Sequence, residues 1–175
     1  IDDLLSFSRV ATKAQPFIST DLGMVAREVV ADLEGRIEQT GGTVELNGLP
    51  TIDADPLQMR QVLQNLIGNG LKFHRPEVPP VVKVRSRRIS GPNGKGQPDQ
   101  FCEIIVEDNG IGFEEVYLDR IFELFQRLHG RNEYEGTGMG LAICRKIVER
   151  HGGEITAKSK PGQGATFFVT LPVRR

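Results

Sequence analysis

Asp108 ends an apolar row. If residues 101–108 are extended, side chains alternate between faces, and Asp108 shares its face with Cys102, Ile104 and Val106. A short acidic residue there can cap a turn together with Asn109. It can equally form the floor of a pocket, where a buried carboxylate needs a donor to offset its desolvation. The exocyclic amino group of a base would supply one. Gly110 and Gly112 fit the pocket reading, because residues without a Cβ let a flat ligand approach the backbone. This stretch alone leaves both readings open.

Two further clusters have chemistry of their own. Gln61, Asn65, Asn69 and Lys72 fall on one face of a helix over residues 57–72, apart from the apolar stripe Met59, Val62, Leu63, Leu66, Ile67 and Gly70. A solvated face would account for them. Asparagines are mildly unfavourable inside a helix, however, and an amide oxygen beside a cation suits magnesium with phosphates. Gly136-Thr137-Gly138-Met139-Gly140-Leu141 precedes a helix with the apolar face Leu141, Cys144, Ile147 and Val148. Glycines at a helix start free the first amides for an anion, which the macrodipole also favours. Gly94-Lys95-Gly96 is no phosphate loop, since the Gly-x-x-x-x-Gly-Lys-Ser/Thr spacing is missing and no helix follows.

The elements that must position these residues belong to one domain with an appendage. The chain has 175 residues, 38% hydrophobic and 26% charged, a composition that indicates neither disorder nor a membrane span. A net charge of -1 gives no support to a nucleic-acid partner. Cys102 and Cys144 lack ligand-like spacing and read as buried thiols in a reducing compartment. The chain opens on Ile1 rather than Met and is expected to be a piece of something larger.

Residues 1–15 suit the end of an amphipathic helix that Pro16 terminates, and residues 16–175 the globular domain. Leu22, Val25, Ala26, Val29, Leu33 and Ile37 keep helical spacing after a cap at Thr20 or Asp21, and Gly41-Gly42 stops the run. Residues 43–49 alternate as a strand, followed by a turn at Pro50 and a helix start at Asp55-Pro56. Residues 81–89 form a strand with one wet face, and residues 90–100 a loop. Residues 114–135 are charged yet contain Phe122, Leu124, Phe125 and Leu128, as a lid would. Residues 154–159 and 165–171 pair as antiparallel strands and complete an α+β two-layer sandwich, a mixed, mostly antiparallel sheet with helices on one face.

In this order the motifs resemble those of sensor histidine kinases. Asn65-Leu66-Ile67-Gly68-Asn69-Gly70-Leu71-Lys72-Phe73 resembles the N box, residues 108–112 the G1 box, residues 122–125 the F box and residues 136–140 the G2 box. Gly162 and Gly164 match the final glycine element, so the resemblance covers roughly residues 20–172. It implies the Bergerat ATP-binding fold shared with gyrase, Hsp90 and MutL-type ATPases, with ATP and Mg²⁺ as cofactors. It also implies roles for single residues. Asp108 would accept the adenine amino group, Asn69 would bind magnesium, and Asn65, Lys72 and the lid residue Arg127 would serve phosphoryl transfer. Gly110, Gly112, Phe122, Phe125, Gly136, Thr137, Gly138, Met139, Gly140, Leu141 and Thr166 would line the nucleotide, under a lid of about residues 113–138. Gly70 departs from the more usual alanine.

Asn65 separates branches of the family. ATP-hydrolysing relatives place a glutamate base there, and an amide does not accept a proton usefully near neutral pH. The resemblance therefore implies transfer of the γ-phosphate to a histidine on an upstream dimerisation hairpin, within a two-component phosphorelay. His74, His129 and His151 lack an acceptor setting and read as structural or solvent-facing. The implied partners are that hairpin, a response regulator receiver domain and a second copy in a homodimer, in the cytoplasm, with no nucleic acid. The alternative is a non-catalytic nucleotide-sensing, partner-binding module of the same fold.

Overall fold

The longer strands and helices follow from where their apolar residues fall. The computed structural model describes residues 8–12, 14–90, 100–123 and 140–174. Residues 8–12 are helical. In chain order there follow β1 (Ile18–Asp21), α1 (Leu22–Asp32), α2 (Glu34–Thr40), β2 (Thr43–Leu46), β3 (Thr51–Ala54), α3 (Pro56–Lys72), β4 (Val81–Ile89) and β5 (Phe101–Asp108). A 3₁₀ turn at Glu115–Tyr117 then leads to α4 (Leu118–Ile121), and α5 (Gly140–Arg150), β6 (Glu154–Ser159) and β7 (Ala165–Pro172) complete the described elements. The main sheet has five strands in the order β2-β4-β5-β7-β6. Only β2 with β4 is parallel, and the remaining neighbours are antiparallel.

The sequence pattern misses two short strands. β1 and β3 pair antiparallel, with Ile18 opposite Ala54, where the sequence suggests a helix cap and a turn. Four residues each give too little alternation to be visible. The expected helix through Ile37 is also two. Leu33 leaves the helical region at φ -95 and ψ 5, close to Gly35, a poor helix former. The strand expected over residues 43–49 stops at Leu46, before Gly48 at φ +60. Capping agrees with expectation: Asp21 accepts from the Met24 amide, and Asp55 accepts from Leu57 and Gln58 with Pro56 at the first turn.

Helices cover one face of the sheet. Val82 and Val84 of β4, Cys102, Ile104 and Val106 of β5, and Phe167, Val169 and Leu171 of β7 meet Leu22 and Val29 of α1, Leu63, Leu66 and Ile67 of α3, and Ile147 and Val148 of α5 in one core. Burying each large side chain contributes about 1.5–3 kcal/mol. The opposite face of β4 is wet, and there Lys83, Arg85 and Arg87 pair with Glu45, Glu107 and Glu103. Exposed pairs of this kind contribute about 0–1 kcal/mol each.

Candidate active site

Asp108 caps its turn, as the first of the two sequence readings expects. Its Oδ1 caps the turn by accepting the Gly110 amide at 2.9 Å and the Ala165 amide at 3.2 Å. Its second oxygen accepts no bond among the described residues. Burial pushes the carboxyl up to about 6, the two amides oppose this, and the Glu107 charge adds to it. Such a group gains from any donor brought to its remaining oxygen.

The polar face of α3 is not a solvated one. Gln61, Asn65, Asn69 and Lys72 are all half-buried, above the buried stripe. The Asn65 Nδ2 donates to the Gly140 carbonyl at 3.3 Å, which leaves its oxygen for other partners and ties α3 to the first residue of α5. The Asn69 side chain makes no hydrogen bond among the described residues. Lys72 holds its ammonium 5.2 Å from the Phe73 ring centroid. Gly70 explains its own departure from alanine: a Cβ there would stand 2.7 Å from Val82 Cγ2 and 3.2 Å from Asp108 Cβ. The missing methyl lets α3 settle onto β4 and the Asp108 turn.

The glycines of this turn make room for the chain's own backbone. A Cβ on Gly110 would lie 2.3 Å from the Phe73 carbonyl, and one on Gly112, at φ +66, 2.2 Å from the Lys160 carbonyl. Gly164, at φ +82, meets the Asp108 carbonyl in the same way at 2.0 Å. Two more bonds draw the strands in: Ile111 donates to the Phe73 carbonyl at 2.9 Å, and Gly162 to the Ile111 carbonyl at 2.6 Å.

At the other wall, Phe122 is buried edge-on against Phe167 with centroids 6.2 Å apart, so it anchors the segment after Asp108 to the sheet. Gly140 opens α5 beside Asn65, and Leu141 packs partly buried against the core. Phe125, Arg127, Gly136, Thr137, Gly138 and Met139 lie outside the described residues, as does His129. Thr166 does not reach the pocket. It sits opposite Glu107 in the register and between the core residues Ala165 and Phe167, so its side chain faces away from Asp108. Ala165 is the β7 residue that touches Asp108. Among the remaining histidines, His151 is buried and accepts the Asp55 amide at Nε2, while His74 Nδ1 lies 3.0 Å from the Arg75 carbonyl.

With this geometry in place, residues 54–175 match the family model described as histidine kinase-, DNA gyrase B- and HSP90-like ATPase. The chain belongs to this ATPase family. It is 43% identical to the phytochrome-like protein Cph1 of Synechocystis over 99% of this chain and 22% of Cph1, so it spans about a fifth of that relative's length. Its fold is that of the catalytic domain of the histidine kinase ThkA, at TM-score 0.71 and 25% identity over 92% of this chain and all (100%) of that one. Full-length ShkA in complex with AMPPNP superimposes at TM-score 0.75 and 27% identity over 98% of this chain and 34% of ShkA. The chain thus has the Bergerat fold of histidine kinase ATPase domains.

Residues that brace the site of this ATPase domain escaped the sequence reading. The Asn109 Oδ1 accepts the Val81 amide at 2.8 Å, its Nδ2 donates to Pro79, and its carbonyl accepts Arg75 Nε at 3.0 Å. Asn109 therefore joins the Asp108 turn to the segment leaving α3. The Ser159 hydroxyl accepts the Phe113 amide and donates to the Gly164 carbonyl, at 2.8 and 2.7 Å. Asn109 was visible as a turn former, but its partners lie about thirty residues away and no local pattern announces them.

Proposed function

We propose that this ATPase domain binds Mg-ATP and donates the γ-phosphate to a histidine on a dimerisation hairpin preceding it in the parent protein, as part of two-component phosphorelay signalling. The observation that carries the reading is the half-buried Asp108 carboxylate, capped on one oxygen and lying beside Gly70 of α3. On this reading its second oxygen accepts the adenine amino group. The oxygens of Asn69 and Asn65 are hard donors suited to magnesium, and no cluster of three or more His, Cys, Asp or Glu among the described residues competes for the metal. Magnesium, when bound there, would supply charge neutralisation at the phosphates.

The transfer itself is a displacement at phosphorus. The bond from the γ-phosphorus to the bridging oxygen breaks as one forms to the imidazole nitrogen. ADP leaves with the electron pair, and the ring N–H proton passes to solvent. On this reading the protein contributes position and charge: Lys72 and Arg127 would serve the phosphates, and Gly136, Thr137, Gly138, Met139, Gly140 and Leu141 would be the hinge of a lid of about residues 113–138. Asn65 holds the start of α5 and offers no base for water, which favours a nucleophile brought from elsewhere. The parent protein is read as a cytoplasmic homodimer, soluble or membrane-anchored, that passes the phosphoryl group to a receiver domain.

Calorimetric titration with a non-hydrolysable ATP analogue, with and without Mg²⁺, tests the reading. Magnesium-dependent binding that is lost in Asp108→Asn and in Asn69→Ala is expected. An intact chain that binds no analogue would sink it.

A further inference from the structure

The segment entering the domain is clipped to both helices that border the site. Asp55, 0% exposed at the start of α3, accepts the Gln15 amide at 2.8 Å and Arg150 Nη1 at 2.9 Å on Oδ2, while Oδ1 caps α3. Arg150, the last residue of α5, also donates to Gln58 Oε1 at 2.6 Å and to the Gln15 carbonyl at 2.8 Å, and its guanidinium lies 4.5 Å from the Phe17 ring centroid. Gln58 donates in turn to the Val10 carbonyl at 2.8 Å, and His151 packs tilted against Phe17 with centroids 4.4 Å apart. The grip reaches residues 10, 15 and 17 of the incoming segment.

Both helices run from this clip to the site. Asn65 lies ten residues along α3 from Asp55, or about 15 Å, and its amide holds Gly140 at the opposite end of α5. A helix transmits displacement along its axis with little bending, so the clip sets how the incoming segment is oriented to the polar face of α3.

We propose that Arg150 is a positioning residue for phosphoryl transfer: through Asp55, Gln58 and Gln15 it fixes the segment bearing the acceptor histidine relative to the bound nucleotide. This rests on the function proposed above. Arg150 lies at the opposite end of α5 from Gly140, so its loss belongs in kcat and not in nucleotide affinity.

The parent protein tests it with Arg150→Met, Arg150→Lys and Phe17→Leu, the last of which leaves the Asp55–Arg150 pair whole. Analogue affinity, KM for ATP, kcat for phosphohistidine formation and amide exchange at Ala14, Gln15 and Phe17 are measured together. Arg150→Met should keep affinity and KM within about twofold, lower kcat at least tenfold and raise exchange at Gln15. Arg150→Lys should recover part of kcat, and Phe17→Leu should lower it about threefold with affinity unchanged. Unchanged kcat despite faster exchange overturns the inference, as does a parallel loss of affinity and kcat. A wild-type parent that binds the analogue but forms no phosphohistidine overturns the function reading itself, and the inference with it.

Discussion

At the scale of single residues, Asp108 carries a stability cost that depends on pH. Its folded carboxyl titrates at about 6 against an ordinary 3.8, so the native state holds the proton more tightly than the unfolded chain does. Stability from this group is full below about pH 4 and is lost as pH rises through 6, by ~3 kcal/mol at most. Asp108→Asn keeps an oxygen for the Gly110 and Ala165 amides and removes the titration. In melts between pH 4 and 8 the variant should match or exceed wild type at pH 8 and lose its advantage at pH 4. Its analogue affinity should be lower at every pH, whereas the wild-type affinity should decline below about pH 6. Gly70→Ala makes the opposite case. Helix propensity alone would favour alanine by about 1 kcal/mol. The contacts to Val82 and Asp108 should reverse that, giving a net loss of about 1–2 kcal/mol and weaker analogue binding, both relieved when Val82→Ala is added.

At the scale of elements, the site depends on a turn locked from three sides and a helix locked along its length. Gly164 lies in the β6–β7 connection, yet the Asp108 carbonyl occupies the space a Cβ would need, and its positive φ adds to the strain of any side chain. Gly164→Ala should cost more than about 3 kcal/mol and abolish analogue binding, read by chemical denaturation and calorimetry. Leu66, 1% exposed on α3 beside Asn65, should cost about 2–5 kcal/mol as alanine and loosen both asparagines with it. Burial also pushes the thiols of Cys102 up to about 11 and Cys144 up to about 12. Neither should react with iodoacetamide until the chain unfolds, as mass spectrometry would show.

At the scale of the whole molecule, one sheet and three long helices form a platform with its polar groups gathered at one end and its clip to the incoming segment at the other. An enzyme of this design divides binding from acceptance. The chain alone should therefore bind Mg-ATP without labelling itself. Incubation with γ-labelled ATP should leave no acid-labile phosphohistidine on it, and phosphotransfer should appear when the acceptor hairpin is supplied.

What the sequence determined by itself was the periodic and the local. α3, β4, β5 and β6 were legible to the residue or nearly so, because each carries several turns or alternations of buried side chains. Asp108 and the asparagines of α3 were legible because polar residues stood where a core or a helix disfavours them. Only the tertiary structure decided the rest. The pairing of β1 with β3, the bracing of Asn109 and the clip at Asp55 join residues about thirty to a hundred positions apart, and hydrogen bonds of that kind leave no period in the chain. It also decided that Thr166 faces away from the pocket, since the sheet register fixes its side, and that Gly70 is glycine because Val82 and Asp108 occupy its space.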